Sequence, residues 1–139
     1  MIRRATTADL EEVVEQGRAF LAYSPHRWIE LDEIAFEAAA EQMITGNGAI
    51  FLAEDGFIGG ILVPCYFNPS VTFASELFWY APNGGGQELL AAFEEWARES
   101  GADAVTCSGL ADSHERAIRR VYGRAGYHTS EIAFMKRIA

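Results

Sequence analysis

Three consecutive glycines stand where an apolar run gives way to a helical pattern, in Pro82-Asn83-Gly84-Gly85-Gly86-Gln87. Glycine removes every side chain there, and a helix N-terminus offers unpaired N–H groups and about half a positive charge. A pyrophosphate could therefore approach the backbone closely. A plain tight turn would use the same residues, and both readings stand on the residues alone. The segment is neither a Walker motif, which ends Gly-Lys-Ser/Thr, nor the spaced Gly-x-Gly-x-x-Gly of a dinucleotide fold. Just upstream, Glu76 is the lone charge in the apolar run Val71–Tyr80. A carboxylate in such a run is costly unless paired or put to use, although an outward position on an alternating strand would also accept it. Trp79 and Tyr80 are adjacent and cannot both face a core, so one of them faces a cleft.

Other chemistries find less support. His26, His114 and His128 are scattered, without metal-ligand spacing, so no metal site is expected. Cys65 and Cys107 sit in apolar surroundings, unlike the basic, polar setting of a nucleophile. They suggest neither a disulfide framework nor a zinc site, and they suit a reducing cytoplasm. No serine lies in a nucleophile-elbow pattern.

These residues must be held by one domain spanning 1–139. Half of the 139 residues are apolar and 12% are aromatic, which is enough for a real core and excludes disorder. No apolar stretch is long enough for a membrane span, and none follows Arg3-Arg4 as a signal region. The net charge of −9 disfavours nucleic acid as a partner. Charge is unevenly spread: residues 1–115 carry 5 basic and 19 acidic groups, whereas residues 116–139 carry 6 basic and 1 acidic. One end could hold an anion while the rest attracts cations.

Ile2–Ala5 alternates as a short strand, and Thr6 with Asp9 forms a capping-box pattern before a helix over 7–21. Residues 23–28 form a loop around Pro25, and a second helix spans 32–44 before Gly46-Asn47-Gly48. Strands follow over 49–54 and 57–66 around Asp55-Gly56, a hairpin-turn dipeptide. Asn68-Pro69-Ser70 reads as the next turn, followed by a strand over 71–80. After the glycine turn come a helix over 87–100, a strand over 104–107 and a helix over 113–125. Residues 127–138 close the chain as a strand or a bent pair of strands. This order implies an α/β mixed sheet with helices on both faces.

Taken together, the element order, Glu76-Leu77-Phe78-Trp79-Tyr80-Ala81-Pro82 entering the glycine turn, the FEEWARESGA helix and the VYGRAGY segment resemble the GNAT superfamily of acyl-CoA-dependent N-acyltransferases. The resemblance covers nearly the whole chain and is nearest to the short members often carried by bacteriophage genomes. It implies the GNAT fold and an N-acetyltransferase that moves an acetyl group from acetyl-CoA to a primary amine. In the family, the strand before the turn splays from its parallel neighbour. By resemblance Phe78, Trp79, Tyr80 and Ala81 would meet pantetheine, while Asn83, Gly84, Gly85, Gly86 and Gln87 would cradle the pyrophosphate. Here the turn is shorter than usual and lacks the family's arginine. Arg116, Arg119, Arg120 and Arg124 either supply that charge or form a solvated helix face.

The resemblance makes Glu76 the general base toward the amine. Tyr122, four residues before Gly126-Tyr127, becomes the acid that protonates the departing thiolate. An alternative role for Tyr122 is a core tyrosine on an apolar helix face. The family's asparagine ahead of that tyrosine is not clearly matched, since Ser113, His114 and Glu115 occupy the stretch. Tyr23, His26 and Trp28 would line the acceptor pocket. The acceptor is a small-molecule or protein amine; a homodimer is compatible with the family, without a specific interface signal. The competing function is a GNAT-fold binding or regulatory module that catalyses nothing.

Overall fold

The computed structural model describes residues 1–110 and 115–139, so Ser113 and His114 lie outside the described residues. The chain forms two compact units, Met1–Ser108 and Gly109–Ala139.

In the first unit, the short strand β1 (Arg3–Arg4) leads into the expected capping box. The Asp9 carboxylate accepts from the Thr6 N–H at 2.7 Å, and the Thr6 hydroxyl accepts from Ala8 N–H. That first turn is a tight 3-10 turn over Thr7–Asp9, after which helix α1 runs Leu10–Tyr23. The Arg3 guanidinium donates to Asp9 at 2.8 Å and to Glu12 at 3.0 Å. Its hydrogen bond, helped by the Thr6 N–H, holds the Asp9 carboxyl down at about 2. Ser24, fully buried, ends α1 by donating its Oγ–H to the Leu21 carbonyl and its N–H to Phe20. Helix α2 (Glu33–Thr45) starts at Asp32, whose carboxylate accepts from Ala35 N–H at 3.0 Å.

Strands β2 (Gly48–Ala53), β3 (Gly56–Cys65) and β4 (Asn68–Tyr80) form an antiparallel meander. The expected turn at Asn68-Pro69-Ser70 is instead the start of β4, because Asn68 pairs with Cys65 and leaves Tyr66-Phe67 as the turn. Helix α3 (Gly86–Glu99) then crosses back to β5 (Ala104–Thr106), which lies parallel to β4. The sheet order is β1-β2-β3-β4-β5.

Alternation along the strands gives the sheet two apolar faces. Ile50, Leu52, Phe57 and Phe78 pack with Val13, Ala40 and Met43 of α1 and α2. The intervening Phe51 and Ile58 are also buried, and α3 is buried through Leu89, Leu90, Phe93, Trp96 and Ala97. Helices α1 and α2 approach closely at Gly17, where a β-carbon would collide with the Phe36 ring.

The second unit holds helix α4 (Glu115–Arg124), which ends at Gly126 in the left-handed region, φ +89°. The expected closing strand over 127–138 does not form among the described residues. A strand exists only through a partner's ladder. Among the described residues of its own unit, the regular element is α4.

Gly60 shows how tightly β3, β4 and α3 meet. A β-carbon there would strike the Ser75 carbonyl oxygen and come to 2.6 Å from Phe93 Cζ. Gly60→Ala should lower unfolding free energy by about 1–3 kcal/mol, as overpacking does; urea denaturation of the two proteins measures it.

Candidate functional site

The site is organised by an irregularity in β4. Gly59 pairs with Phe78 while Gly60 pairs with Glu76, so Leu77 is an extra residue facing no partner on β3. Strict alternation would put Glu76 on the face of Phe78 and Tyr80; one inserted residue breaks that parity. On its other edge β4 pairs with β5 at only three positions, Phe73↔Ala104, Ala74↔Val105 and Ser75↔Thr106. From Glu76 onward the two parallel strands no longer pair. The ladder stops with β5 itself, which ends at Thr106, so Glu76 is the first residue of β4 beyond it.

Glu76 is half-buried at this fork. Its Oε1 accepts a hydrogen bond from the Ser108 N–H at 3.3 Å. Loss of hydration pushes the carboxyl up to about 7, and the Ser108 bond pulls the other way without cancelling it. A carboxylic group poised near neutrality can take and release a proton at physiological pH. Ser108 could not be singled out from the sequence, since it follows a three-residue strand and carries no motif.

The residues after Glu76 divide their work. The Phe78 ring is buried and stacks on Phe57 at a centroid distance of 4.4 Å, so its side chain belongs to the core. Tyr80 meets Phe20 at 6.0 Å and Tyr23 at 5.6 Å, on the α1 side. Trp79 lies beside the glycine turn, where a β-carbon on Gly86 would be 3.3 Å from its Cζ2 and 3.4 Å from the Ala81 Cβ.

The turn itself has the backbone of an anion cradle. Gly84 and Gly85 adopt φ of +91° and +81°, which side chains rarely tolerate, and open space surrounds both. Gly85 is the N-cap of α3 and no side chain caps the helix, so the first amides at Gly86 and Gln87 lack an intrahelical acceptor. Asn83 donates its side-chain amide to Asp55 Oδ2 at 3.0 Å, which ties the turn to the β2–β3 hairpin. That link was invisible in the sequence, where Asp55-Gly56 spoke only of a hairpin.

Of the residues expected on the acceptor side, Tyr23 is half exposed and its ring lies tilted against Tyr80, while Trp28 is similarly exposed in the loop after α1. His26 lies in the same loop and donates its N–H to Ser24 Oγ at 3.1 Å. Tyr122 belongs to the second unit, where its ring meets Tyr127 at 5.2 Å and its carbonyl accepts from Tyr127 N–H. Arg116, Arg120 and Arg124 are exposed on α4, and Arg119 donates to Thr129 Oγ1 at 3.3 Å. Among the described residues no group of three or more His, Cys, Asp or Glu side chains is placed to hold a metal ion, and no helix is long and apolar enough to cross a membrane.

No protein-family model matches the chain, and no curated protein sequence does. Solved structures do. An aminoglycoside acetyltransferase from an uncultured soil metagenomic sample, solved with sisomicin, has a TM-score of 0.72 at 15% identity, covering 100% of this chain and 96% of that one. AAC(6')-Iy with a bisubstrate analogue of coenzyme A and a monomethyl-acetylneamine gives 0.72 at 16% identity, over 100% and 97%. A protein from Clostridium acetobutylicum, described as a predicted acetyltransferase and solved with acetyl-CoA, gives 0.74 at 14% identity, over 99% and 95%. The chain has the GNAT acetyltransferase fold, as its sequence resemblance implied.

The raised Glu76 carboxyl makes a stability prediction with a definite sign. The folded state holds this proton more tightly than the unfolded one, so stability falls as pH rises from the ordinary glutamate range through about 7. Glu76→Gln removes the charge and keeps the shape. In urea melts it should stabilise the protein at pH 8 and change little at pH 4.

Proposed function

We propose that this protein is an acetyl-CoA-dependent N-acetyltransferase acting on a primary amine by direct attack within a ternary complex. The observation that carries the reading is the half-buried Glu76 carboxyl, poised near neutrality where β4 and β5 part. The coenzyme would supply an acetyl thioester, an acyl group ready for an amine. The β4 backbone from Phe78 to Ala81, unpaired with β5, would hold the pantetheine arm and lend its amides to the carbonyl oxygen. The backbone of Gly84, Gly85, Gly86 and Gln87 would hold the pyrophosphate. Glu76 would take the amine proton, and Tyr122 would return a proton to the sulfur. A phenol near ~10 and a thiol near ~8.5 are close enough for that transfer.

The acceptor is proposed to be cationic. Residues 1–55 carry 11 acidic groups against 4 basic ones, a field that draws amines inward. Polyamines, lysine-bearing peptides and aminoglycosides fit it, and the aminoglycoside acetyltransferases among the fold neighbours support it. A second reading, a binding module without turnover, is favoured by one feature: Asp55, an acid, holds Asn83 beside a turn that lacks any arginine.

Saturating acetyl-CoA should raise the melting temperature while NAD and ATP do not; ligand at 100 times its dissociation constant adds about 2.7 kcal/mol. Gly85→Val should abolish the shift, since its left-handed backbone excludes a branched side chain. An unmoved melting curve in the parent would remove the coenzyme from this reading.

On an amine panel, Glu76→Gln should lose the activity that rises through about pH 7 in the parent and recover toward high pH, where the amine is already neutral. Tyr122→Phe should lower turnover on the order of 10²–10⁴-fold without recovery at high pH. Parent-like pH–rate profiles for both variants would overturn these roles.

A further inference from the structure

Glu76 receives its hydrogen bond from a backbone whose position is fixed elsewhere. The donor, Ser108, lies two residues beyond the end of β5, and β5 is an edge strand of three residues. So short a strand has few rungs with which to hold its end in register. Its last rung, Ser75↔Thr106, carries something the other two lack. The Ser75 and Thr106 side chains share a hydroxyl–hydroxyl hydrogen bond of 2.9 Å, and both residues are half-buried. At the opposite end, Asp103 plays the matching part: its carboxylate accepts from the Thr72 N–H at 2.8 Å, and its own N–H donates to the Thr72 carbonyl. The strand is thus clasped to β4 at both ends by side chains. Of these clasps, Ser75–Thr106 stands one residue from Glu76 and two from Ser108.

We infer that the Ser75–Thr106 hydroxyl pair is a positioning device that holds the Ser108 N–H against the Glu76 carboxylate. The inference rests on the acetyltransferase reading only where it concerns rate; the positioning itself does not depend on catalysis. Without the clasp, the residues after β5 lose the side-chain anchor nearest the fork, where Ser108 makes its 3.3 Å bond to Glu76. A hydrogen bond to the ionised form favours ionisation, so its loss drives the carboxyl further up. Few other groups compete. From β3, the neighbours are Gly59, Gly60 and Ile61, none charged. Asp103, just before β5, is engaged with Thr72. Helix α3 is buried through Leu89, Leu90, Phe93, Trp96 and Ala97. The approach of α1 is aromatic as well, since it meets the end of β4 through the Phe20 and Tyr23 rings on Tyr80. Desolvation raises the Glu76 carboxyl and the Ser108 bond opposes it, so loss of the bond should show as a further rise.

The test uses Thr106→Val, which keeps the branched shape and removes the hydroxyl, with Ser75→Ala removing the other half from the better-anchored strand. Thr106→Ser is the conservative rescue. Carbon-13 spectra of glutamate-labelled protein, with Glu76 assigned by its absence in Glu76→Gln, follow the carboxyl through pH without any need for activity. One net hydrogen bond corresponds to a rise of about half a unit to one unit in the Glu76 titration. Where an amine is acetylated, the acid limb of kcat/KM should move by the same amount. Rates then fall about 3- to 10-fold on that limb and rejoin the parent at high pH. Thr106→Ser should restore both. An unshifted Glu76 titration in both variants overturns the inference, and so does a rate loss equal at every pH, the mark of a merely structural role. If the titration shifts but the parent acetylates no amine, the positioning stands and the acetyltransferase reading falls.

Discussion

Between Glu76 and Tyr80, strand β4 keeps its ladder with β3 and has none with β5. Parallel pairing over three residues ends at Ser75↔Thr106, so on that side the last residues of β4 lie outside the sheet ladder. The rest of the first unit serves to make this fork stable. Helices α1 and α2 cover one face through Val13, Ala40 and Met43, and α3 is buried through Phe93 and Trp96.

The same fork explains why a glutamate can live on an apolar strand. Adding Leu77 to β4 changes the parity between Glu76 and Phe78, so the Phe78 ring enters the core while the carboxylate pairs across from Gly60, a residue with no side chain. Glycine is favoured there on packing grounds, since a β-carbon would meet the Ser75 carbonyl oxygen. The carboxylate retains the Ser108 N–H as a partner, but that one bond does not repay its lost hydration. The result is a group near 7 rather than an ordinary surface acid. Desolvation dominates, and the hydrogen bond tempers it.

Charge sets a second theme. An acidic body and a basic C-terminal end divide the chain, and the glycine turn falls in the acidic part, with Asp55 hydrogen-bonded to Asn83. A pyrophosphate held there would rely on oriented backbone dipoles at the start of α3 rather than on a cation within the turn. Such a cradle is geometrically specific and electrostatically modest. Binding there would be sensitive to any residue that disturbs the left-handed Gly84 and Gly85.

Hydrophobic period, caps and turn residues are local properties, and they made most of the fold legible in the sequence. Thr6 with Asp9, Asp32, Asp55-Gly56 and the glycine triplet each marked an element boundary through a contact within a few residues. The glycine turn and Glu76 could be singled out for the same reason: a backbone freedom and a misplaced charge are visible one residue at a time. What the sequence left open depends on partners distant along the chain. The bulge at Leu77 exists only in register with Gly59 and Gly60, and the expected strand over 127–138 does not form among the described residues. Ser108 reaches Glu76, Thr106 reaches Ser75 and Asn83 reaches Asp55 across separations of 32, 31 and 28 residues. No local pattern encodes such meetings; only the closed sheet brings those atoms within bonding distance, and with them the environment that raises Glu76.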